Sequence, residues 1–517
     1  MRKTLAEEFS TIHVYNLRGN QRTAGEQSRK EGGKIFDAGS RATVAITILV
    51  KDPAKAGPAT IHYTDIGDYL TREGKLRTIA ASGSLAGLDT VDHIAPNAYG
   101  DWLNQRAENF ESFLPIGTKG IGPSIFTLTS GGLKTARDAW VYNYSEGSLR
   151  SNMATMIAAY NHERSLLAAN PSHLLDVDPT RISWTRGLTR DAHRDREHKL
   201  RDAAVRRCSY RAFTAQRLYF GRDMNDMIYR SEVLFPTPIH ANRAIVMTGV
   251  GAAMNYTPLM VSGIPDASIF GGQTNSQALA RWTYAPDQAG GLLIFTEGDK
   301  VVAGYRRIDN VTDEALRRFQ TAYGDDSTKD GIFFYVYGLL HSPEYRETYA
   351  ADLKKMLPRI PLVVDAQPFI DAGRKLSELH LGYESVTPYP LDGLDVEAEA
   401  GSAAYDFFRV KKMHFSKPTA QQTAVGERHD RTTIVYNNRI TLGGIPEAAY
   451  RYMLGSRSAI EWIMDRYQVR TDKASGIVND PNDWSREVED PRYIIDLLAR
   501  IVTVSLETMQ IVDNLPH

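Results

Sequence analysis

The run Ala42-Thr-Val-Ala-Ile-Thr-Ile-Leu-Val50 is apolar apart from its threonines and rich in β-branched side chains. It is too short to cross a bilayer and bad for a helix, so it predicts a buried strand. A shorter apolar run, His13 to Leu17, precedes it. Between the two lies a basic, glycine-rich loop: Arg18, Asn20, Arg22, Arg29, Lys30, Lys34 and Arg41, among Gly19, Gly25, Gly32, Gly33 and Gly39. Two buried strands joined by a cationic loop predict a piece of an α/β sheet that offers its loop to an anion. A solvated surface loop accounts for the same residues. Few residues precede the first strand, which reads as the middle of a sheet; the chain is expected to begin inside a domain.

With 517 residues there is room for two to four domains. Apolar residues make up 42% and charged residues 24%, which excludes a disordered chain. The net charge of −1 gives no global pull toward nucleic acid, so local charge must carry any such argument. The single cysteine, Cys208, excludes a disulfide framework or a cysteine-built zinc site within the chain and fits a reducing cytoplasm. The first residues, MRKTLAEEFS, lack the apolar core of a signal peptide, and no apolar run is long enough for a membrane span. No membrane partner is expected.

Hydrophobic periodicity divides the rest. Helices are expected at Asp65–Ser82, Asp101–Phe113, Ser148–Asn170, Asp313–Tyr323, Gly331–Leu340, Phe369–Leu381, Pro446–Leu454, Ala459–Tyr467 and Pro491–Asp513. Ile182 to Arg230 is the most basic part of the chain; there Arg190–Arg207 reads as a charged helix, and Ser209–Phe213 and Gln216–Phe220 as strand pieces. Further strands are expected at Ile125–Leu128, across Ile239–Val302, at Phe407–Val410 and at Thr433–Tyr436. Trp140 and Tyr142 are expected in the core.

Several chemistries lack their signatures. There is no GxxxxGK[ST] loop, HExxH, EF-hand loop or GxSxG elbow. Gly249-Val-Gly-Ala-Ala-Met254 starts like a dinucleotide loop but lacks the third glycine. Glu73-Gly-Lys75 is better read as helical charge pairing than as part of a metal nuclease site. Methyl transfer to a base amine needs a glycine loop after the first strand and an (Asn/Asp)-Pro-Pro-aromatic turn beside the flipped base. Phe36-Asp-Ala-Gly39 precedes a strand where that loop should follow one, and Asn170-Pro-Ser-His173 lacks the second proline and the aromatic. Both are rejected.

Taken in order, several stretches resemble one known family. Asn16-Leu-Arg-Gly-Asn20, Glu31-Gly-Gly-Lys-Ile-Phe36 and Gly39–Lys51 resemble the last strands of the N6-adenine methyltransferase domain in type ISP restriction–modification enzymes, single polypeptides that join nuclease, motor, methyltransferase and target-recognition domains. The resemblance continues through Arg137-Asp-Ala-Trp-Val-Tyr-Asn-Tyr144, Ser209–Phe213, Tyr337–Arg346 and Leu357-Pro-Arg-Ile-Pro361. The tail, Tyr436–Pro446 with Gly476-Ile-Val-Asn-Asp-Pro481, looks like the family's C-terminal specificity domain.

That resemblance implies a mixed α/β chain: a truncated methyltransferase-like sheet with a helical connector over 1–118, a target-recognition domain over 119–400, and a strand-plus-helix part of the specificity domain over 401–517. It implies sequence-specific recognition of double-stranded DNA in phage defence. No catalytic, metal or cofactor-binding residue is assigned to this chain. S-adenosylmethionine and catalysis would come from a missing or partner methyltransferase part, on a chain also carrying motor and nuclease. An active methyltransferase with an unfamiliar cofactor loop and a non-functional fragment remain as alternatives. The fragment reading predicts exposed apolar surface near Val44 to Val50.

DNA-reading surfaces use Arg and Lys on phosphates, and Arg, Asn and Gln on base edges. The candidates are Arg18, Asn20, Arg22, Arg29, Lys30, Lys34 and Arg41 in the first loop, then Arg207, Tyr210, Arg211 and Arg217, where basic and aromatic residues interleave, and Asn437, Asn438 and Arg439 after a strand. Ion pairs on a solvated face account equally for the middle group, and a polar turn for the last.

Overall fold

Strand β1, Thr11–Asn16, pairs with two neighbours of opposite sense: antiparallel to β2, Ala45–Val50, and parallel to β3, Thr60–Asp65. A short β4, Asp92–Ile94, joins β3 on its far side, giving the order β2-β1-β3-β4. The period of two along β1 and β3 sends Ile12 and Ile61 to one face, where they meet Ala6 of helix α1, Arg2–Glu8, with Leu5, Phe9, Val14 and Trp102 around them. At the opposite end of β1, Leu17, Ile35 and Ile66 form a second cluster with Tyr15, Leu70 and Ile79. Ile79 belongs to helix α3, Arg72–Ser82; α2, Gly25–Glu31, lies in the basic loop. The computed structural model describes every residue except 22–24, 37–40, 89–90, 119–121, 253, 273, 288–299, 399–400, 425 and 517.

By contact density the chain separates into two units. One comprises Met1–Leu114 with Val250–Tyr256 and Glu344–Arg359; the other comprises Pro115–Gly249, Thr257–Pro343 and Ile360–His517.

The second unit is built from several small sheets and long helices. One sheet runs Pro258–Val261, Ala244–Met247, Gln277–Ala280, Ser130–Gly131, with antiparallel neighbours throughout. Another runs Ile264–Pro265, Val205–Arg211, Thr214–Tyr219, Tyr142–Asn143 around a central hairpin. The helix Lys329–His341 is apolar nearly all round, and each residue from Gly331 to His341 is buried, as that pattern requires. It crosses the helix Gln367–Leu381 at Gly338 and Gly373. A Cβ at Gly373 would lie 1.9 Å from the Phe334 carbonyl oxygen, so only glycine permits the approach. A buried polar chain ties these helices together. The Met260 amide donates to the Tyr337 hydroxyl at 2.8 Å, Tyr337 lies 2.5 Å from His380 Nδ1, and His380 Nε2 lies 2.9 Å from Thr508 Oγ1 on the last helix, Tyr493–Asp513. Burial, and then His341, hold the His380 imidazole well below its usual pKa, so it is neutral.

The expected helices at Ser148–Asn170, Asp313–Tyr323, Gly331–Leu340, Phe369–Leu381, Ala459–Tyr467 and Pro491–Asp513 form within a residue or two of their bounds. Others do not. Asp101–Phe113 holds only a 3-10 turn at Phe110–Ser112, because the backbone wraps the buried Asp101 carboxylate to deliver Arg106 at 2.8 Å. The helix expected over Arg190–Arg207 stops at His193. Beyond it, the helix Glu146–Ala169 captures backbone carbonyls: Tyr160 Oη donates to Arg196 O and Asn161 Nδ2 to His198 O, both at 2.7 Å. Phe407–Val410 is no strand, since side chains of Tyr436, Asn437 and Asn482 bond the carbonyls that a ladder would use. Pro446–Leu454 is a 3-10 turn, Glu447–Arg451, leading into a two-residue strand. Ile125–Leu128 makes a single bridge, Phe126 to Val311.

The principal correction concerns Ala42–Val50. It forms strand β2 from Ala45, but at the edge of its sheet, and none of its six residues is buried. Apolar patterning reports that a strand prefers burial; it does not supply the neighbour that would bury it.

Candidate nucleic-acid interface

The basic loop after β1 is held down by its own charges. Arg18, in a left-handed conformation (φ 55°), places Nε 2.6 Å from Asp65 Oδ1 and also pairs with Asp68. Asn16 Nδ2 donates to Asp65 Oδ2 at 2.9 Å. Burial alone would raise the Asp65 carboxyl; Arg18 and the Gly67 amide outweigh it and hold it below its ordinary value. The Asn20 amide donates to Glu31 Oε2 at 2.9 Å, and the buried Lys75 ammonium donates to the Glu31 carbonyl at 2.6 Å. A Cβ at Gly32 would lie 2.2 Å from the Leu70 carbonyl, which explains one of the loop glycines. Arg29 and Arg41 are exposed, and Lys30 and Lys34 half-buried. Arg41 Nη2 reaches the Gln21 carbonyl at 3.1 Å. Arg22 lies outside the described residues.

The hairpin Val205–Arg211/Thr214–Tyr219 forms where the sequence places strand pieces, and its candidate arginines are ion-paired, Arg211 in the interior and Arg207 still exposed. Arg211 Nη1 donates to Asp266 Oδ1 at 2.9 Å, Nη2 lies 3.5 Å from Asp138, and the guanidinium sits 3.9 Å over the Tyr210 ring. Tyr210 donates to Asp138 Oδ2 at 3.3 Å, and burial pushes its phenol up to about 12. Asp266 also accepts from the Tyr142 hydroxyl at 3.0 Å and the Ser268 amide at 2.7 Å. Arg217 pairs with Glu487 at 3.1 Å, Arg207 pairs with Glu384, and both guanidinium groups stack over the buried Trp484, at 5.0 and 5.3 Å. All three arginines are thus ion-paired, Arg211 in the core, Arg217 partly buried and Arg207 about half exposed.

The third group is split. Asn437 closes a turn: Oδ1 accepts the Arg439 and Ile440 amides, and Nδ2 donates to the Phe407 and Arg409 carbonyls. Asn438 and Arg439 stand exposed at its tip, Arg439 5.6 Å over Phe407.

A basic groove of about 800 Å³ lies beside the hairpin. Arg196, Lys199, Arg201 and Arg222 line it, with Phe220 and Tyr305 among its apolar contacts. Two of its ion pairs are open to water, Lys199 being 76% and Arg222 68% exposed in the pairs with Glu197 and Glu232, whereas Arg201 meets the largely buried Asp223 at 2.6 Å. Exposed pairs contribute little, so a phosphate can replace the carboxylate at small cost. The basic segment 182–230 contains this groove, but the candidates expected there are the strand arginines Arg207, Arg211 and Arg217. The segment's charge excess was legible, but which members face solvent depends on the ion partners that folding brings. Among the described residues no group of His, Cys, Asp and Glu is placed to hold a metal ion. No described helix is long and apolar enough to cross a membrane. Gly249 serves packing, since a Cβ there would lie 2.1 Å from the Asn275 carbonyl.

Residues 124–497 match the family model of the type ISP C-terminal specificity domain. The chain belongs to this family. Three solved structures are similar over all of it. A nuclease-deletion mutant of the type ISP restriction–modification enzyme LlaGI, in complex with a DNA substrate mimic, is 38% identical with a TM-score of 0.81. The ATP-dependent type ISP enzyme LlaBIII bound to DNA is 33% identical at 0.82, and a DrdV–DNA complex 29% at 0.79. The chain spans 44%, 31% and 48% of those chains. No match was found among curated proteins.

Two stretches that carried the type ISP resemblance meet in space. The Tyr144 amide donates to Asn479 Oδ1 at 3.0 Å, Asn143 Nδ2 donates to the Val478 carbonyl at 3.1 Å, and Asn479 Nδ2 donates to Gln216 Oε1 at 3.2 Å. These motif residues lock the specificity domain's end onto its hairpin sheet. Trp140 and Tyr142 are buried, as expected of core residues.

Proposed function

We propose that this chain recognises a short sequence in double-stranded DNA for a type ISP restriction–modification enzyme. The observation that carries the reading is the specificity-domain match over residues 124–497. The groove beside the hairpin supports it, because solvent-exposed basic side chains beside aromatic surface suit a phosphate backbone. Phosphate contacts are assigned to Arg196, Lys199, Arg201 and Arg222 in the groove, to Arg29, Lys30, Lys34 and Arg41 in the loop of the other unit, and to Arg439. Catalysis, S-adenosylmethionine, motor and nuclease belong in this reading to polypeptide outside the region this chain spans.

The test is selection from a pool of random-sequence duplexes, with the protein supplied together with that remaining type ISP polypeptide. Enrichment of one short motif is expected. Retention without any enriched motif would sink the reading and leave only non-specific attraction.

A further inference from the structure

Arg137 opens the stretch Arg137–Tyr144, whose Trp140 and Tyr142 belong to the core. Packing does not explain the arginine itself. It is 5% exposed, and its Nε and Nη1 meet no hydrogen-bond partner among the described residues. Burial draws its pKa down to about 10, against the through-space pull of Asp226 and then Asp223. It therefore stays a cation at neutral pH, and a buried cation without a hydrogen-bonded counter-ion is costly.

The one nitrogen that is engaged leads to a helix start. Arg137 Nη2 donates to Thr185 Oγ1 at 2.7 Å, and Thr185 is the N-cap of the helix Arg186–His193. The same oxygen accepts the Leu188 amide at 3.3 Å. A hydroxyl has two lone pairs and one proton. With Arg137 and Leu188 on the lone pairs, the Thr185 proton is left to donate outward. The Arg186 and Gly187 amides beside it are the first of their helix and have no intrahelical acceptor. Arg186 is exposed, and Thr185 and Gly187 are partly so. A Cβ on Gly187 would meet only Thr185 Oγ1, at 3.8 Å, so packing does not demand a glycine there; its effect is to leave the amides uncovered.

We propose that this helix start binds a phosphate group, and that one backbone phosphate fills it in the DNA complex. The Thr185 hydroxyl and the Arg186 and Gly187 amides donate to it, at the positive end of the helix. Arg137 is a positioning residue: it acts through Thr185, directing that proton outward and placing a full positive charge behind it. None of these four residues lines the basic groove, so the contact is additional to those assigned there. The source of the phosphate rests on the reading that this chain binds DNA.

The experiment follows the melting temperature of the whole chain as inorganic phosphate replaces chloride at constant ionic strength. In parallel it reads the slope of log K against log salt for a duplex. Phosphate should raise the melting temperature of the parent. Arg137→Met should lose most of that rise and lower the salt slope by about 0.9, one phosphate contact. Gly187→Glu tests the site with the buried arginine in place. An acid in the first turn favours the helix, so the fold should hold, while its carboxylate takes the amides and removes both the rise and the contact. A purely structural arginine predicts a lower melting temperature in Arg137→Met with the phosphate rise intact in both variants, and that result overturns the proposal. So does a rise that both variants lose while the slope keeps its parent value, which would make free phosphate the ligand. Absence of duplex binding by the parent counts against the DNA reading alone; the melts still decide whether the helix start takes a phosphate group.

Discussion

Arg211 Nη1 lies 2.9 Å from Asp266 Oδ1, with the two side chains 11% and 5% exposed. An arginine that looks from its basic and aromatic neighbours like a base reader is instead the counter-ion of a buried carboxylate. Removing it strands Asp266, whose other partners are Tyr142 and Ser268. Arg211→Ala should therefore destabilise the fold by about 3–5 kcal/mol, measured by urea unfolding. Arg439→Ala, at an exposed turn tip, should stay within about 0.5 kcal/mol of the parent. Equal stability of the two variants would contradict the assignment of Arg211 to the core.

The groove makes a different prediction. Arg222→Ala should weaken binding to all duplexes alike and lower the slope of log K against log salt by about 0.9, one phosphate contact. Arg217→Ala, in an internal pair with Glu487, should leave that slope unchanged. Titrations at several salt concentrations distinguish the two.

His380 gives a pH dependence with a defined sign. Its pKa is depressed in the folded chain, so the unfolded chain binds the extra proton below about 6.5. The stability it contributes is complete above that pH and declines as pH falls toward the folded value. Melting temperature should drop between pH 7 and 5. In His380→Gln the part of that drop due to this side chain should vanish, while overall stability falls through loss of the Tyr337 and Thr508 partners.

Asp465 is held by three guanidinium groups, Arg457 at 3.0 Å, Arg470 at 2.7 Å and Arg466. Burial would raise its carboxyl; the arginines, Arg466 foremost, keep it below its ordinary value. A depressed acid stabilises the fold above its unfolded pKa and loses that effect as pH falls through the folded one. Asp465→Asn should cost about 1–2 kcal/mol at pH 7, and the difference should shrink below about pH 4. Denaturant midpoints at pH 7, 5 and 3 would show it.

The helix crossing at Gly338 and Gly373 allows no added carbon. Gly373→Ala should lower stability by about 1–3 kcal/mol despite alanine's better helix propensity, because the new Cβ meets the Phe334 carbonyl. A thermal melt at or above that of the parent would show that the crossing can open.

Long helices were readable because their burial stripes repeat along the chain. Tyr493–Asp513 and Lys329–His341 carry enough apolar residues to need no help from neighbours in being recognised. Short segments failed where distant side chains took over the backbone. Nothing local in Phe407–Val410 announces that Tyr436, Asn437 and Asn482 will occupy its carbonyls. The site was half legible for the same reason. The basic segment 182–230 is plain in the sequence, but the partners that neutralise Arg207, Arg211 and Arg217 sit at Glu384, Asp266 and Glu487.

By itself the sequence determined which residues prefer burial, which stretches are cationic and, through ordered motifs, which family the chain resembles. Those properties are local, carried by side-chain chemistry and period. Only the tertiary structure decided which charges remain for a ligand, because an arginine's availability depends on whether a carboxylate arrives within hydrogen-bond reach. It also decided that the apolar run ending at Val50 lies at a sheet edge with its side chains open to solvent. Burial is a relation between two surfaces, and the strand's own residues specify only one of them.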